Sequence, residues 1–210
     1  MIGGKSLEQH SQTEDTQQTR QILEAQLREC FGRVVYSHKT HEKCADLLLA
    51  KWANIKLWQL ILSALSTAGF ISAVAGAEKV GSIAGATIAS ILLVLNAYTK
   101  NYDLGQLAQK HKQTGCDLWF VRERYLSLIT DLAMREKPIE SLQTERDKVL
   151  KDLHAIYAGA PPTNGKAYGQ AQVALQQNEE LTFSEKEIDA FLPKPLKRSQ
   201  SPVEGNKVNP

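Results

Sequence analysis

Between Leu57 and Thr99 the chain carries almost no charge: its only Asp, Glu, Lys, Arg or His residues there are Glu78 and Lys79. The stretches on either side, LWQLILSALSTAGFISAVAGA (57–77) and VGSIAGATIASILLVLNAYT (80–99), have none. That absence disfavours a proton-coupled transporter or a voltage sensor, both of which need charge inside the membrane. Cysteine is scarce as well. The three present, Cys30, Cys44 and Cys116, read as reduced core or surface thiols of a cytoplasmic region. No nucleophile stands with a recognisable base and orienting partner, so neither an enzyme nor a cofactor is expected. A phosphate-loop reading of Gly159 with Gly165-Lys166 fails: the spacing is one residue too long, Ala167 replaces the Ser or Thr, and no strand precedes it. The net charge is only +2, and the basic flanks are explained by anionic lipid headgroups before direct nucleic-acid binding is needed.

What is present is a membrane hairpin. Residues 57–77 and 80–99 would each rise roughly 30 Å as a helix, the thickness of the hydrocarbon core. Each holds eight strong apolar residues, which favour insertion by only about 0.3 to 0.6 kcal/mol apiece. A pair inserting as one unit fits that margin better than two independent anchors. The run begins too far from Met1 for a cleaved leader. Basic residues gather before the first span (Arg28, Arg33, Lys39, Lys43, Lys51, Lys56) and after the second (Lys100, Lys110, Lys112, Arg122, Arg124). The positive-inside rule then places both termini in the cytoplasm. Trp52 and Trp58, with Tyr98 and Tyr102, suit an interfacial aromatic belt.

About half the residues in the spans are small, which suits helix facing helix. Folding the chain at Glu78-Lys79 sets Gly76 against Gly81, Ser72 and Ala73 against Gly85, and Ala68 and Gly69 against Ala89. The expected packing seam is therefore Gly69, Ala73, Gly76, Gly81, Gly85 and Ala89, with Asn96 one turn beyond Leu92 on the same face. Ser63, Thr67, Thr87 and Ser90 lie off that seam and are the candidate pore-lining or inter-subunit residues. Hydroxyls of this kind bond to neighbouring subunits, line a wet path, or bond back to their own carbonyls.

Outside the membrane, apolar residues recur at helical spacing before the first span and after the second. Two arms of similar length leaving one membrane side should pack antiparallel, with Gly32, Gly105 and Gly115 as the places where continuity could fail. After a turn at Lys137-Pro138, a third helix returns along the pair until Gly159 and Pro161-Pro162 end it. The expected fold is an all-α membrane protein, a two-helix transmembrane hairpin whose long cytoplasmic amphipathic helices form a small bundle. Its divisions are a disordered N-terminus (1–14), a helical arm (15–56), the hairpin (57–99), a second arm with return helix (100–158), a linker with short helices (159–192), and a disordered tail (193–210). Within the linker region, 167–178 reads as an Ala/Gln-rich helix and Ser184 to Glu187 as a capping box. His38, His41 and Cys44 fall on one helical face and are zinc-binding types, but no fourth ligand stands near, so packing is the expected role and no metal is assigned.

The amphipathic arm, the hairpin with its minimal turn (GAEKVG) and the basic-aromatic helix HKQTGCDLWFVRERYLSLITDL together resemble the SLATT domains. These are two-transmembrane effectors associated with nucleotide-second-messenger synthases in bacterial antiphage defence. The resemblance covers about residues 20–158 and leaves 160–210 outside the common core. It implies an effector in the bacterial inner membrane that oligomerises into a pore, or otherwise disrupts the membrane, when an upstream sensor is triggered. The implied partners are the lipid bilayer, copies of the same chain, and an upstream sensor or nucleotide-synthase protein. No catalytic residues carry over. The alternative is a non-conducting scaffold that docks a partner enzyme or sensor at the membrane.

Overall fold

A computed structural model describes the backbone over residues 3–76 and 78–193, and side chains over 16–72, 74–76 and 79–193. The rest of the tail expected from 193 onward, with residues 1, 2 and 77 and the side chain of Ala73, lies outside the described residues. Six helices follow in order: α1 (Gly3–Val74), α2 (Glu78–Asn101), α3 (Leu104–Met134), α4 (Ile139–Gly159), α5 (Gly165–Gln176) and α6 (Glu185–Phe191). No strand occurs among the described residues. The chain divides into one unit up to Gln172 and a second from Val173.

In the first unit, α1 runs without a break from the N-terminal arm into the candidate membrane span, and Gly32 does not interrupt it. It is helical from Gly3, through most of the segment expected to lack structure. The second arm differs. The chain leaves the helix after Asn101, and Asp103 starts α3 anew by accepting a hydrogen bond from the Gln106 N–H at 2.8 Å. Gly105 and Gly115 both lie inside α3, so the break comes from the Asp103 cap rather than from a glycine.

The arms pack because their apolar faces have no other partner. Leu23, Leu27 and Val34 of α1, Leu118, Val121, Tyr125, Leu128 and Leu132 of α3, and Ile139, Leu142 and Val149 of α4 form one core. Tyr125 is its largest fully buried side chain, and burial, reinforced by Cys30, pushes its phenol up to about 12. Polar ties around the core rim join Arg124 to Asp152, Tyr157 Oη–H to Ser37 Oγ (2.8 Å), and Arg146 to Gln26 Oε1 (3.0 Å). α3 ends on Arg135, which takes a left-handed φ of 60°. Pro138 is the extended residue before α4 rather than its first helical one, a shift of one position. The first turns of α5 bury Ala167 and Ala171, and Tyr168 stacks on Tyr36 of α1 at 6.0 Å. In the second unit, Ser184 caps α6 with both halves of the capping box formed.

Gly32 sits mid-helix with nothing within 4 Å of an added Cβ. Gly32→Ala should therefore stabilise the arm by about 0.5–1 kcal/mol, measured as a higher melting temperature in detergent. An unchanged or lower value would show that the position is constrained by something other than helix propensity.

Candidate functional site

The hairpin closes through its backbones. A Cβ on Gly69 would lie 3.2 Å from the Gly85 Cα and 3.4 Å from the Gly81 carbonyl oxygen. Any side chain at 69 would crowd this approach, and close backbone contact of this kind is how helices associate in lipid, where burial from water drives nothing. The same seam carries polar ties. Ser66 Oγ approaches the Gly85 carbonyl at 3.5 Å, and nearer the headgroups Gln59 Nε2 donates to Asn96 Oδ1 at 2.9 Å and Thr99 Oγ1 at 3.1 Å.

The register departs from the expected one by nearly a turn. Gly69 meets Gly85 rather than Ala89, and Gly76 is not on the seam. α1 ends at Val74, and Gly76 takes a φ of +113° with open space around it, so the chain turns at Ala75-Gly76. Glu78 and Lys79, expected to form the turn, instead begin α2. The charged pair sits in the first turn of a helix because the positive-φ glycine ahead of it reverses the chain. Gly81 is buried and Ala89 lines a groove of about 570 Å³ beside the seam, with Phe70 as one wall and Ser66, Gly85 and Ala86 along it.

The hydroxyls face outward. Ser63, Thr67, Thr87 and Ser90 are all exposed in the single chain. Thr67 donates to the Ser63 carbonyl at 3.0 Å, Thr87 to Ile83 and Ser90 to Ala86 at 2.9 Å each. The donors of Thr67, Thr87 and Ser90 are thus satisfied within their own helices, and their oxygens keep acceptor capacity. At the end of the spans, Lys51 Nζ reaches Tyr98 Oη at 3.1 Å and lies over its ring, Tyr98 stacks on Tyr102 at 5.0 Å, and Lys56 lies over Trp52. These contacts gather three of the four expected belt residues into two cation-aromatic groups, Lys51 with Tyr98 and Tyr102, and Lys56 with Trp52.

Between the belt and the apolar core, α1 and α3 meet through a buried polar layer. His41 Nδ1 and His111 Nδ1 are 3.0 Å apart, and His38 Nδ1 donates to the Gly115 carbonyl at 2.9 Å. Lys39 pairs with Glu42 at 2.8 Å, and Glu42 also lies 3.5 Å from His38 Nε2. The His41–His111 contact requires one ring to carry its proton on Nδ1 and the other on Nε2. Protonating both would set two N–H groups head to head. Desolvation, then His111 and His38, pulls His41 down to about 4, and burial lowers His111 too. Cys44, buried beyond this layer, has its thiol pushed up by burial and receives Asn164 Nδ2 at 3.8 Å. His38, His41 and Cys44 thus each find a different protein partner. Among the described residues no group of three or more His, Cys, Asp or Glu could hold a metal ion. Sequence periodicity counted His111 as one more member of an apolar face; its pairing with His41 spans 70 residues and has no local signature.

A model of the family described as SMODS and SLOG-associating 2TM effector domain family 4 matches residues 23–187. No curated protein and no solved structure matches the chain. The matched span runs past the limit of about 158 expected from sequence, through the linker, α5 and the first residues of α6, so these segments belong to the common domain.

Two experiments follow from this geometry. Gly69→Ala should loosen the hairpin by roughly 1–3 kcal/mol through overpacking, whereas Gly85→Ala, whose Cβ would meet nothing nearer than 3.7 Å, should be close to neutral. Unfolding of the two variants in detergent tests this, and equal effects would reject the one-sided contact. The second concerns pH. The folded value of His41 lies below its ordinary 6.5, so its contribution is complete above pH 6.5 and is lost as pH falls through about 4. The loss should be on the order of 3 kcal/mol. A melting curve that weakens over that window in the parent chain and less in His41→Gln is expected; parallel acid limbs would refute it.

Proposed function

This chain belongs to the SMODS and SLOG-associating 2TM effector domain family, membrane effectors of defence-associated systems, and from that premise we propose that it works by assembling hairpins from several copies into a conducting pore. Both termini lie in the cytoplasm of the bacterial cell, where the arms meet an upstream nucleotide-signalling sensor. The observation that carries this reading is a contrast within one chain. The arms bury a continuous core, while large apolar side chains of the spans, such as Leu60, Phe70, Ile83 and Leu93, stay exposed around a closed glycine seam. Lipid covers that surface in a lone hairpin, and neighbouring hairpins cover part of it in an assembly. The groove beside Phe70 offers a seat for a neighbouring helix.

The arms supply the assembly surface. Trp119 and Phe120 on α3 are 49% and 58% exposed, adjacent residues of a type depleted from free surfaces and enriched where proteins meet. The exposed thiol of Cys116 lies one turn before Phe120, in reach of a second copy seated there. Ser63, Thr67, Thr87 and Ser90 would then turn their acceptor oxygens toward water in the open state. The hydroxyls of Thr67, Thr87 and Ser90 donate back to their own helices, which favours the second reading, a non-conducting scaffold that docks a partner protein.

Flux and cross-linking on one preparation separate the two. A bismaleimide should link copies through Cys116 in liposomes, the same liposomes should dissipate an imposed potential, and Trp119→Ala with Phe120→Ala should lose both by at least about tenfold. Cross-linked but ion-tight liposomes, under conditions where expression is toxic, would leave the scaffold standing and remove the pore.

A further inference from the structure

A second cavity, of about 660 Å³, opens where α1 approaches the membrane and the linker between α4 and α5 crosses it. Lys51, Asn54, Ile55 and Trp58 of α1 line one side, and Asn164 and Lys166 line the other. Neither lysine has a carboxylate in ion-pair range among the described residues; Lys51 is held by the Tyr98 hydroxyl alone, and a hydroxyl leaves its charge uncancelled. The cavity wall is mostly apolar, with Lys51 and Lys166 as its basic residues and the Asn164 amide already bonded to Cys44 and Ala167.

Depth along α1 sorts those groups. The helix is unbroken here, so Lys51 lies about 9 Å along the axis from Leu57, where the span begins, while Ile55 and Trp58 straddle that boundary. The headgroup layer on one side of a bilayer is about 5–8 Å thick. Lys51 thus sits at the outer edge of the headgroup layer, above apolar groups at the hydrocarbon edge, an order that matches a molecule with an anionic head and a hydrocarbon body. A soluble phosphate compound would satisfy the lysines and leave Ile55 and Trp58 without a partner.

We propose that this cavity binds one anionic phospholipid, with its phosphate between Lys51 and Lys166 and its upper acyl chain against Ile55 and Trp58. The bound lipid bridges α1 to the α4–α5 linker, which gives residues 160–166 a role at the membrane surface and couples the domain to the charge of its leaflet.

The test uses the full chain in mild detergent, with native mass spectrometry reading lipid retained after adding phosphatidylglycerol or phosphatidylcholine at equal concentration. Phosphatidylglycerol should be retained preferentially. Lys51→Gln with Lys166→Gln should weaken its retention by roughly tenfold, in line with the attraction expected per basic residue near a membrane. Ala50→Phe fills the cavity while keeping both charges, and it should weaken retention as well. Circular dichroism of both variants without lipid should match the parent, which separates lost binding from lost folding. Equal retention of the two lipids by the parent chain overturns the proposal. Full retention by Ala50→Phe does so too, because it would reduce the effect to surface attraction. Displacement by glycerol 3-phosphate at the lipid's own concentration would replace the lipid with a soluble phosphate ligand and likewise end it. None of these outcomes bears on ion flux, so the lipid site and the pore fail separately.

Discussion

Two helix backbones in lipid come together only if something other than exclusion of water draws them, and here the means is the missing side chain of Gly69. With no Cβ at that position, the chain reaches the Gly85 Cα and the Gly81 carbonyl, and dispersion between backbones replaces the hydrophobic term that is absent in hydrocarbon. The features on either side conform to that contact. Gly76 places the bend so that Gly69 arrives opposite Gly85, Gln59 and Asn96 fall into hydrogen-bond range further along, and Lys51 reaches Tyr98 where the spans end. The arms then begin already side by side, so the apolar stripe of α1 meets that of α3 without a search for register.

Moving away from the membrane, the joint between α1 and α3 changes character twice. First comes the cation-aromatic cluster of Lys51, Tyr98 and Tyr102, then the buried layer of His38, His41 and His111, and then a purely apolar core from Val34 to Leu23. A buried polar layer adds little net stability because each group is desolvated before it is paired. What it offers is selectivity. Leucines tolerate a slip of one turn between helices, whereas a one-turn slip here would part His41 from His111 and His38 from the Gly115 carbonyl, leaving buried polar atoms unsatisfied.

Much of this was legible beforehand, for reasons that can be named. Span length, the lack of internal charge and the helical spacing of Leu27, Val34, Leu118 and Tyr125 are one-dimensional signals, and the hairpin and bundle follow from them. The Ser184 capping box was readable because its chemistry lies within four residues. The bend differs from the expected Glu78-Lys79 because charge marks that pair as the break in the apolar run, whereas the reversal itself needs the positive φ that Gly76 supplies cheaply. The seam then shifted with it: Gly69 was assigned to Ala89 although the small residues themselves had been found. The resemblance stops at about 158 because it rests on the arms and the hairpin, and the Ala/Gln-rich helix legible at 167–178 adds no feature of that layout although Ala167 and Ala171 are buried in the same unit. Pairings across 70 or 120 residues, His41 with His111 and Cys44 with Asn164, leave no trace in local sequence at all.

The two arms are joined to the spans in unlike ways, and that asymmetry bears on how an event at the arms could reach the hairpin. α1 carries its backbone hydrogen bonds unbroken from the arm through the boundary at Leu57, so a rotation or tilt imposed on the arm is delivered to Gly69 by the same rigid helix. The path through the other arm is interrupted: α2 stops at Asn101, and Asp103 restarts the chain as α3. Two residues between helices can absorb a change of angle that a continuous helix cannot. A displacement of α1 relative to α3 would therefore move the first span as a lever while the second swivels at Tyr102-Asp103, and the strain would fall on the Gly69–Gly85 contact because it joins the lever to the swivel. The glycine seam is thus both the closure of the resting hairpin and the place where motion of the arms has its largest consequence in lipid.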